Sequence, residues 1–147
     1  MNFQLKTFNE LTTTELYNIL KERTDVFVVE QNCPFPEVDG KDLQSYHLFK
    51  EENGEIIAYL RILPPGVSYP ELSIGRVLVN KDYRGQKLAR QMMEEALSYI
   101  INELKETTVK IQAQHYLEDF YCSFGFEVIS EVYLEDGIPH IDMLLKK

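Results

Sequence analysis

The chain has 147 residues, 44% hydrophobic and 12% aromatic, which suits one compact core and argues against a second domain. Its formal net charge of −9 argues against nucleic acid as a partner, since non-specific contact with phosphates is largely electrostatic, and it disfavours acidic substrates. No run is apolar enough to span a membrane and no signal peptide, repeat or low-complexity tract is found, so no membrane partner is expected and the cytoplasm is the default location.

Hydrophobic period and turn chemistry predict a strand at about 3–8, a helix from about 13, and strands near 46–52, 55–63 and 72–79. A helix over 85–103, a strand over 108–113, a helix over 116–123 and strands near 126–134 and 138–145 follow. Thr12-x-x-Glu15 reads as a capping box for the first helix, and Glu52-Asn53-Gly54 and Glu135-Asp136-Gly137 read as hairpin turns. Leu72–Val79 is short and aliphatic, as a strand covered on both faces should be, and Gly75 inside it is compatible with a bulge or a close backbone approach. Beyond it, Leu88, Met92, Ala96 and Leu97 fall at helical spacing, leaving Glu94, Glu95 and Asn102 to solvent.

The connection between that strand and that helix carries the chemistry. Backbone N–H groups at a helix start lack intrahelical partners and lie at the positive end of the helix dipole, so they hold anions. Lys81, Arg84, Lys87 and Arg90 recur every three residues across it, placing positive charge where phosphates would sit; a solvated basic edge is the alternative. Neither Gly-x-Gly-x-x-Gly nor Gly-x-x-x-x-Gly-Lys-Ser/Thr is present, so the loop is neither a dinucleotide fingerprint nor a P-loop. Arg84-Gly85-Gln86-Lys87-Leu88-Ala89 instead resembles the acetyl-CoA signature of the GNAT superfamily of N-acetyltransferases. Lys87 departs from that signature, standing where the family usually has its middle glycine.

About 30 residues further on, Gln114 through Phe126 resembles the superfamily's other block, with Gln114 in the usual asparagine position and Tyr121, Gly125 and Phe126 matching Tyr-x-x-x-Gly-Phe. The resemblance implies that Tyr121 protonates the departing thiolate, that Gln114 and Phe124 contribute to the cofactor site, and that Gly125 caps the helix. It also implies that backbone groups of Val77, Leu78 and Val79 bind the pantetheine arm like an added strand, one N–H polarising the thioester carbonyl. Phe120, Tyr121 and Phe124 as the plain apolar face of a short helix is the alternative, favoured for Phe120.

Further segments resemble the ElaA-like branch of the superfamily: Leu16–Gln31, Cys33–Gly40, Arg61-Ile-Leu-Pro-Pro65, Ile74-Gly-Arg-Val77 and Tyr133–Met143. The implied fold is a mixed α/β (α+β) GNAT acyl-CoA N-acyltransferase domain over the whole chain. It has a mostly antiparallel sheet of about seven strands with a V-shaped splay, flanked by about four helices. The implied activity is acetyl-CoA-dependent transfer of an acetyl group to a primary amine of a small molecule or peptide, by direct attack in a ternary complex. A homodimer is open, since many relatives dimerise.

The first helices and the last hairpin face each other across the acetyl group in this family, which makes Arg23 and Phe27 candidates for acceptor binding. Glu30, His115 and His140 are candidates for the base that deprotonates the amine. His47 starts a strand and reads as a packing or surface residue, and Cys33 and Cys122 form no metal-ligand pattern, so no metal is expected. Two other functions compete. One is a cousin acyl-homoserine-lactone synthase using S-adenosylmethionine, suggested by Arg23, Val26, Phe27, Asp39 and Asp42 but opposed by the absence of tryptophan. The other is an acyl-CoA-binding module without catalysis, against which retention of Tyr121 beside the phosphate loop speaks.

Overall fold

A computed structural model describes residues 3–147. Its strands are β1 (Gln4–Thr7), β2 (Tyr46–Glu52), β3 (Glu55–Leu63), β4 (Leu72–Val79), β5 (Thr108–Gln114), β6 (Glu127–Val128), β7 (Tyr133–Glu135) and β8 (Ile138–Lys146). The α-helices are α1 (Thr13–Arg23), α2 (Leu88–Asn102) and α3 (Glu118–Cys122). The strands form one eight-stranded sheet in the order β1-β2-β3-β4-β5-β8-β6, with β7 also on β8. Every pairing is antiparallel except β4 with β5.

Alternation along β2 and β3 divides the core between two faces. Leu48, Leu60 and Ile62 pack with Met92, Met93, Ala96 and Ile100 of α2, and Tyr121 and Phe126 join that side. Phe49, Tyr59 and Leu78 pack with Ile19 of α1 and with Val26. The Asn53-Gly54 and Asp136-Gly137 turns both take positive φ at both central residues, the twist that two-residue hairpins require. Thr12 Oγ1 accepts from the Glu15 amide at 3.0 Å while the Glu15 carboxylate accepts from the Thr12 amide at 2.8 Å, the reciprocal cap expected of that spacing.

Three expectations change. The strand expected over 126–134 divides into β6 and β7, because the Ser130 hydroxyl accepts the Asp142 amide at 2.9 Å and four residues bulge out opposite two of β8. Among the described residues the sheet therefore has eight strands, where about seven were expected, and there are three α-helices, where about four were expected. The backbone continues past α1 as a π-helical segment, Thr24–Glu30. Finally, α2 starts at Leu88 and not at 85, since Gly85 and Lys87 both take positive φ, at 85° and 62°. Lys87 thus adopts the left-handed conformation that favours glycine, at a backbone cost of about 1–2 kcal/mol.

The segment after the π-helical turn is held by ions rather than by secondary structure. Arg23, with no exposed surface, donates to Glu37 at 2.9 Å and to Asp42 at 2.7 Å. Arg61 donates to Asp39 at 2.6 Å and Asp42 at 2.9 Å, and Arg76 to Glu37 at 2.5 Å. Three guanidiniums and three carboxylates balance, and removing one member of such a buried group costs about 3–5 kcal/mol because its partner stays behind uncompensated. His47, expected at the surface or in packing, is wholly buried beside this group. Its Nε2–H donates to the Asp42 carbonyl at 3.0 Å, so Nδ1 accepts from the Tyr59 hydroxyl at 2.7 Å.

Burial lowers the His47 pKa, so the imidazole is neutral in the fold while the unfolded chain takes up a proton near pH 6.5. The stability this neutral histidine supports is complete above that value and is lost as pH falls towards its lowered value in the fold. Urea unfolding between pH 7.5 and 5 should show a decline in stability that His47→Gln flattens; parallel slopes would contradict the assignment. Lys87→Gly should exceed Lys87→Ala in unfolding free energy by about 1 kcal/mol, since only glycine takes positive φ without strain. Equal stabilities would mean the left-handed turn is not retained.

Candidate active site

Parallel pairing between β4 and β5 comprises Leu72 with Val109 and Ser73 with Lys110, and then ends. Beyond it the two strands part. The divergence coincides with a bulge on the other side of β4, where Tyr59 and Arg61 of β3 lie opposite Leu78 and Gly75, so β4 has one more residue in that interval. A bulge, one of the two features with which Gly75 is compatible, is present, but its strained residue is Arg76, at φ 53°. Gly75 itself is not sterically required, since an added Cβ would meet only Leu63 Cδ1, at 3.7 Å.

The gap opens into a cavity of about 710 Å³. Val77, Leu78 and Val79 line one wall, and Ile111, Ala113 and Gln114 of β5 line the other. Arg84 and Ala89 stand at the end nearest the start of α2, Phe27 and Glu30 come from the π-helical segment and Gln31 from the residue that caps it, and Ile138 and His140 come from the last hairpin. Tyr121 forms part of the wall from α3.

Local structure fixes Tyr121 closely. The amide of Gly125 donates to the Cys122 carbonyl at 2.9 Å and that of Phe126 to the Tyr121 carbonyl at 3.4 Å, a Schellman closure with Gly125 at φ 102°. A Cβ on Gly125 would also press on Leu145 Cδ1 at 3.1 Å. Phe120 and Phe126 meet the Tyr121 ring edge-on at 5.1 and 6.1 Å between centroids. Burial raises the Tyr121 pKa, keeping the phenol protonated, as a proton donor to a leaving group must be.

His140 lies opposite Gln114 in the β5–β8 register and stacks on Tyr133 at 6.4 Å. Its Nδ1 is 2.7 Å from the Ile138 carbonyl, which can only accept, so in the neutral imidazole the proton sits on Nδ1 and Nε2 is the proton acceptor. His115 is not on the cavity wall; it lies half exposed, 3.6 Å from Glu118. Glu30 is on the wall, but both its oxygens accept from Arg84, at 2.7 and 3.0 Å, and those hydrogen bonds lower its pKa, which makes it a poor base.

Arg23 does not reach the cavity, because its charge is consumed by Glu37 and Asp42 beneath it; Phe27 does. In the anion loop, Arg84 and Ala89 are on the wall, whereas Gly85, Gln86, Lys87 and Leu88 are not, and the Leu88 side chain packs into the core. Phe124 also lies off the wall, beneath the Arg90 guanidinium at 4.8 Å, while Phe120 is on it. Glu37, Asp39, Arg61 and Arg76 also line the cavity; the sequence offered none of them as an acceptor-site candidate, and Asp39 entered only in support of the synthase reading. Arg61 Nε is buried without a hydrogen-bond partner among the described residues.

A thioester cofactor with a pyrophosphate suits this cleft on three counts: an unpaired strand edge, a helix start with cations beside it, and a protonated phenol on the wall. Among the described residues no helix is long and apolar enough to cross a membrane.

Comparison with known proteins agrees. The model of the acetyltransferase (GNAT) domain matches residues 7–147. The protein ElaA of Escherichia coli is 43% identical over 137 residues, 92% of this chain and 90% of that one, and its crystal structure superposes with a TM-score of 0.92 over 99% of each chain. An acyl-CoA N-acyltransferase from Pseudomonas aeruginosa is 44% identical, with a TM-score of 0.93 over 98% of each chain. The acyl-homoserine-lactone synthase LasI, at 17% identity and a TM-score of 0.79 over 99% of this chain and 89% of its own, shares the fold alone. With the domain model spanning nearly the whole chain and ElaA homologous over most of it, this acyltransferase belongs to the GNAT acetyltransferase family.

Proposed function

We propose that the protein transfers an acetyl group from acetyl-CoA to a primary amine of a small molecule or peptide, both substrates being bound together. The observation that carries this reading is the position of Tyr121 and His140 on the wall of one cavity, where strand β4 leaves β5. Acetyl-CoA supplies an activated acyl carbon; the chain supplies orientation and proton transfers. Val77, Leu78 and Val79 would bind the pantetheine by backbone hydrogen bonds, with an N–H directed at the carbonyl oxygen. Arg84 and the start of α2 would hold the pyrophosphate. His140 Nε2 would take the proton that the amine loses as the C–N bond forms. Tyr121 would give its proton to the sulfur as the C–S bond breaks, so charge and protons balance.

Thiol release from acetyl-CoA, assayed against a panel of amines, tests the reaction. Tyr121→Phe should lower kcat about 100-fold while leaving acetyl-CoA affinity near that of the wild type. His140→Ala should lower turnover by a similar factor, with partial restoration by added imidazole. Undiminished turnover in either variant would remove that residue from its role. Tight acetyl-CoA binding with no acceptor in the panel would favour a binding module.

A further inference from the structure

Glu30 and Arg84 are 54 positions apart in sequence, yet they meet at the cavity as a two-armed ion pair. Arg84 Nη1 donates to Oε2 at 2.7 Å and Nη2 to Oε1 at 3.0 Å. The third arm, Nε, donates to the Val79 carbonyl at 3.0 Å. That last bond anchors the guanidinium to the end of β4, so its fork presents one planar edge, and a carboxylate covers that edge. A planar fork suits carboxylate and phosphate oxygens alike. Glu30 therefore stands where an anionic ligand of the loop would bind in the same manner. Its side chain is 41% exposed and that of Arg84 43%, so water reaches both and the pair adds little to stability.

We propose that Glu30 is an internal stand-in for a cofactor phosphate, which the pyrophosphate of CoA displaces from Arg84 on binding. The inference rests on the CoA reading given above. Glu30 is then a positioning residue that sets cofactor affinity through Arg84, not the base that abstracts the amine proton. A carboxylate partner keeps the Arg84 fork ordered without ligand, and a phosphate with more negative charge replaces it when cofactor arrives.

The test is calorimetric titration of the whole protein with CoA, comparing wild type, Glu30→Gln and Asp25→Asn. Asp25 lies in the same π-helical segment, pairs with Lys21 at 3.2 Å and is not on the cavity wall, so its variant changes net charge equally without touching Arg84. Glu30→Gln should bind CoA about five-fold or more tightly than wild type, and Asp25→Asn should match wild type. Equal or weaker binding by Glu30→Gln would overturn the exchange, as would an equal gain in Asp25→Asn, which would mark a general charge effect. CoA binding to none of the three proteins would overturn the cofactor reading itself. Thermal unfolding of each variant, expected within a few degrees of wild type because both side chains are surface-accessible, separates a binding change from a folding defect.

Discussion

Two adjacent strands inside a sheet stop bonding to each other after two residue pairs, and the rest of the site depends on that interruption. Backbone N–H and C=O groups on the facing edges of β4 and β5 are left without a neighbouring strand, a condition that proteins tolerate where solvent or a ligand supplies the partners. The bulge at Arg76 is coupled to it, since an additional residue on β4 re-aims the strand away from β5. The cleft so formed receives groups from every layer: the anion loop beyond β4, Tyr121 from α3, His140 from β8 and Phe27 from the π-helical segment. In the proposed reading a pantetheine arm takes the place of the missing strand, and the same opening that costs backbone hydrogen bonds becomes the binding site.

The opposite side of the cavity is built on charge. Glu37, Asp39 and Asp42 accept from Arg23, Arg61 and Arg76, which arise from α1, β3 and β4. Burial opposes ionisation of Asp39, but the hydrogen bonds from Arg61 outweigh it and hold the carboxyl well below the ordinary carboxylate range. A segment whose only regular structure is the 3-10 turn Lys41–Gln44 thereby gains a defined place over the sheet. His47 and Tyr59 complete the buried polar network under it. Arg76 links the network to the bulge, so the charged wall of the cavity and the gap between β4 and β5 share one residue.

Strands β2, β3 and β4 were legible to the residue because each is an apolar run closed by strong turn chemistry or a loop of distinct composition. The capping box at Thr12 and the αL glycine at 125 were legible for the same reason: each is a local rule acting over a few positions. What escaped notice depends on pairing across the chain. Arg23 looked available to a substrate until Glu37 and Asp42, 14 and 19 positions away, proved to consume it. Helical spacing could not say whether Phe120 or Phe124 faces the cleft, since both are apolar and the helix is short. Nor could it separate His140, which its register in β8 opposite Gln114 brings to the cavity wall, from His115, which begins the short turn after β5 and is not on that wall. At Lys87, the backbone retained the left-handed turn although the residue type argued against it.

The most direct measurement is amide hydrogen exchange, residue by residue, with and without acetyl-CoA. If the cofactor completes the sheet, the exchange-competent amides among Arg76–Val79 and their counterparts on β5 should become protected, by about ten-fold or more, while the β2–β3 ladder stays unchanged. Acetyl-CoA that binds without protecting any amide of that segment would contradict the account, because the parted strands would then serve some purpose other than holding the pantetheine.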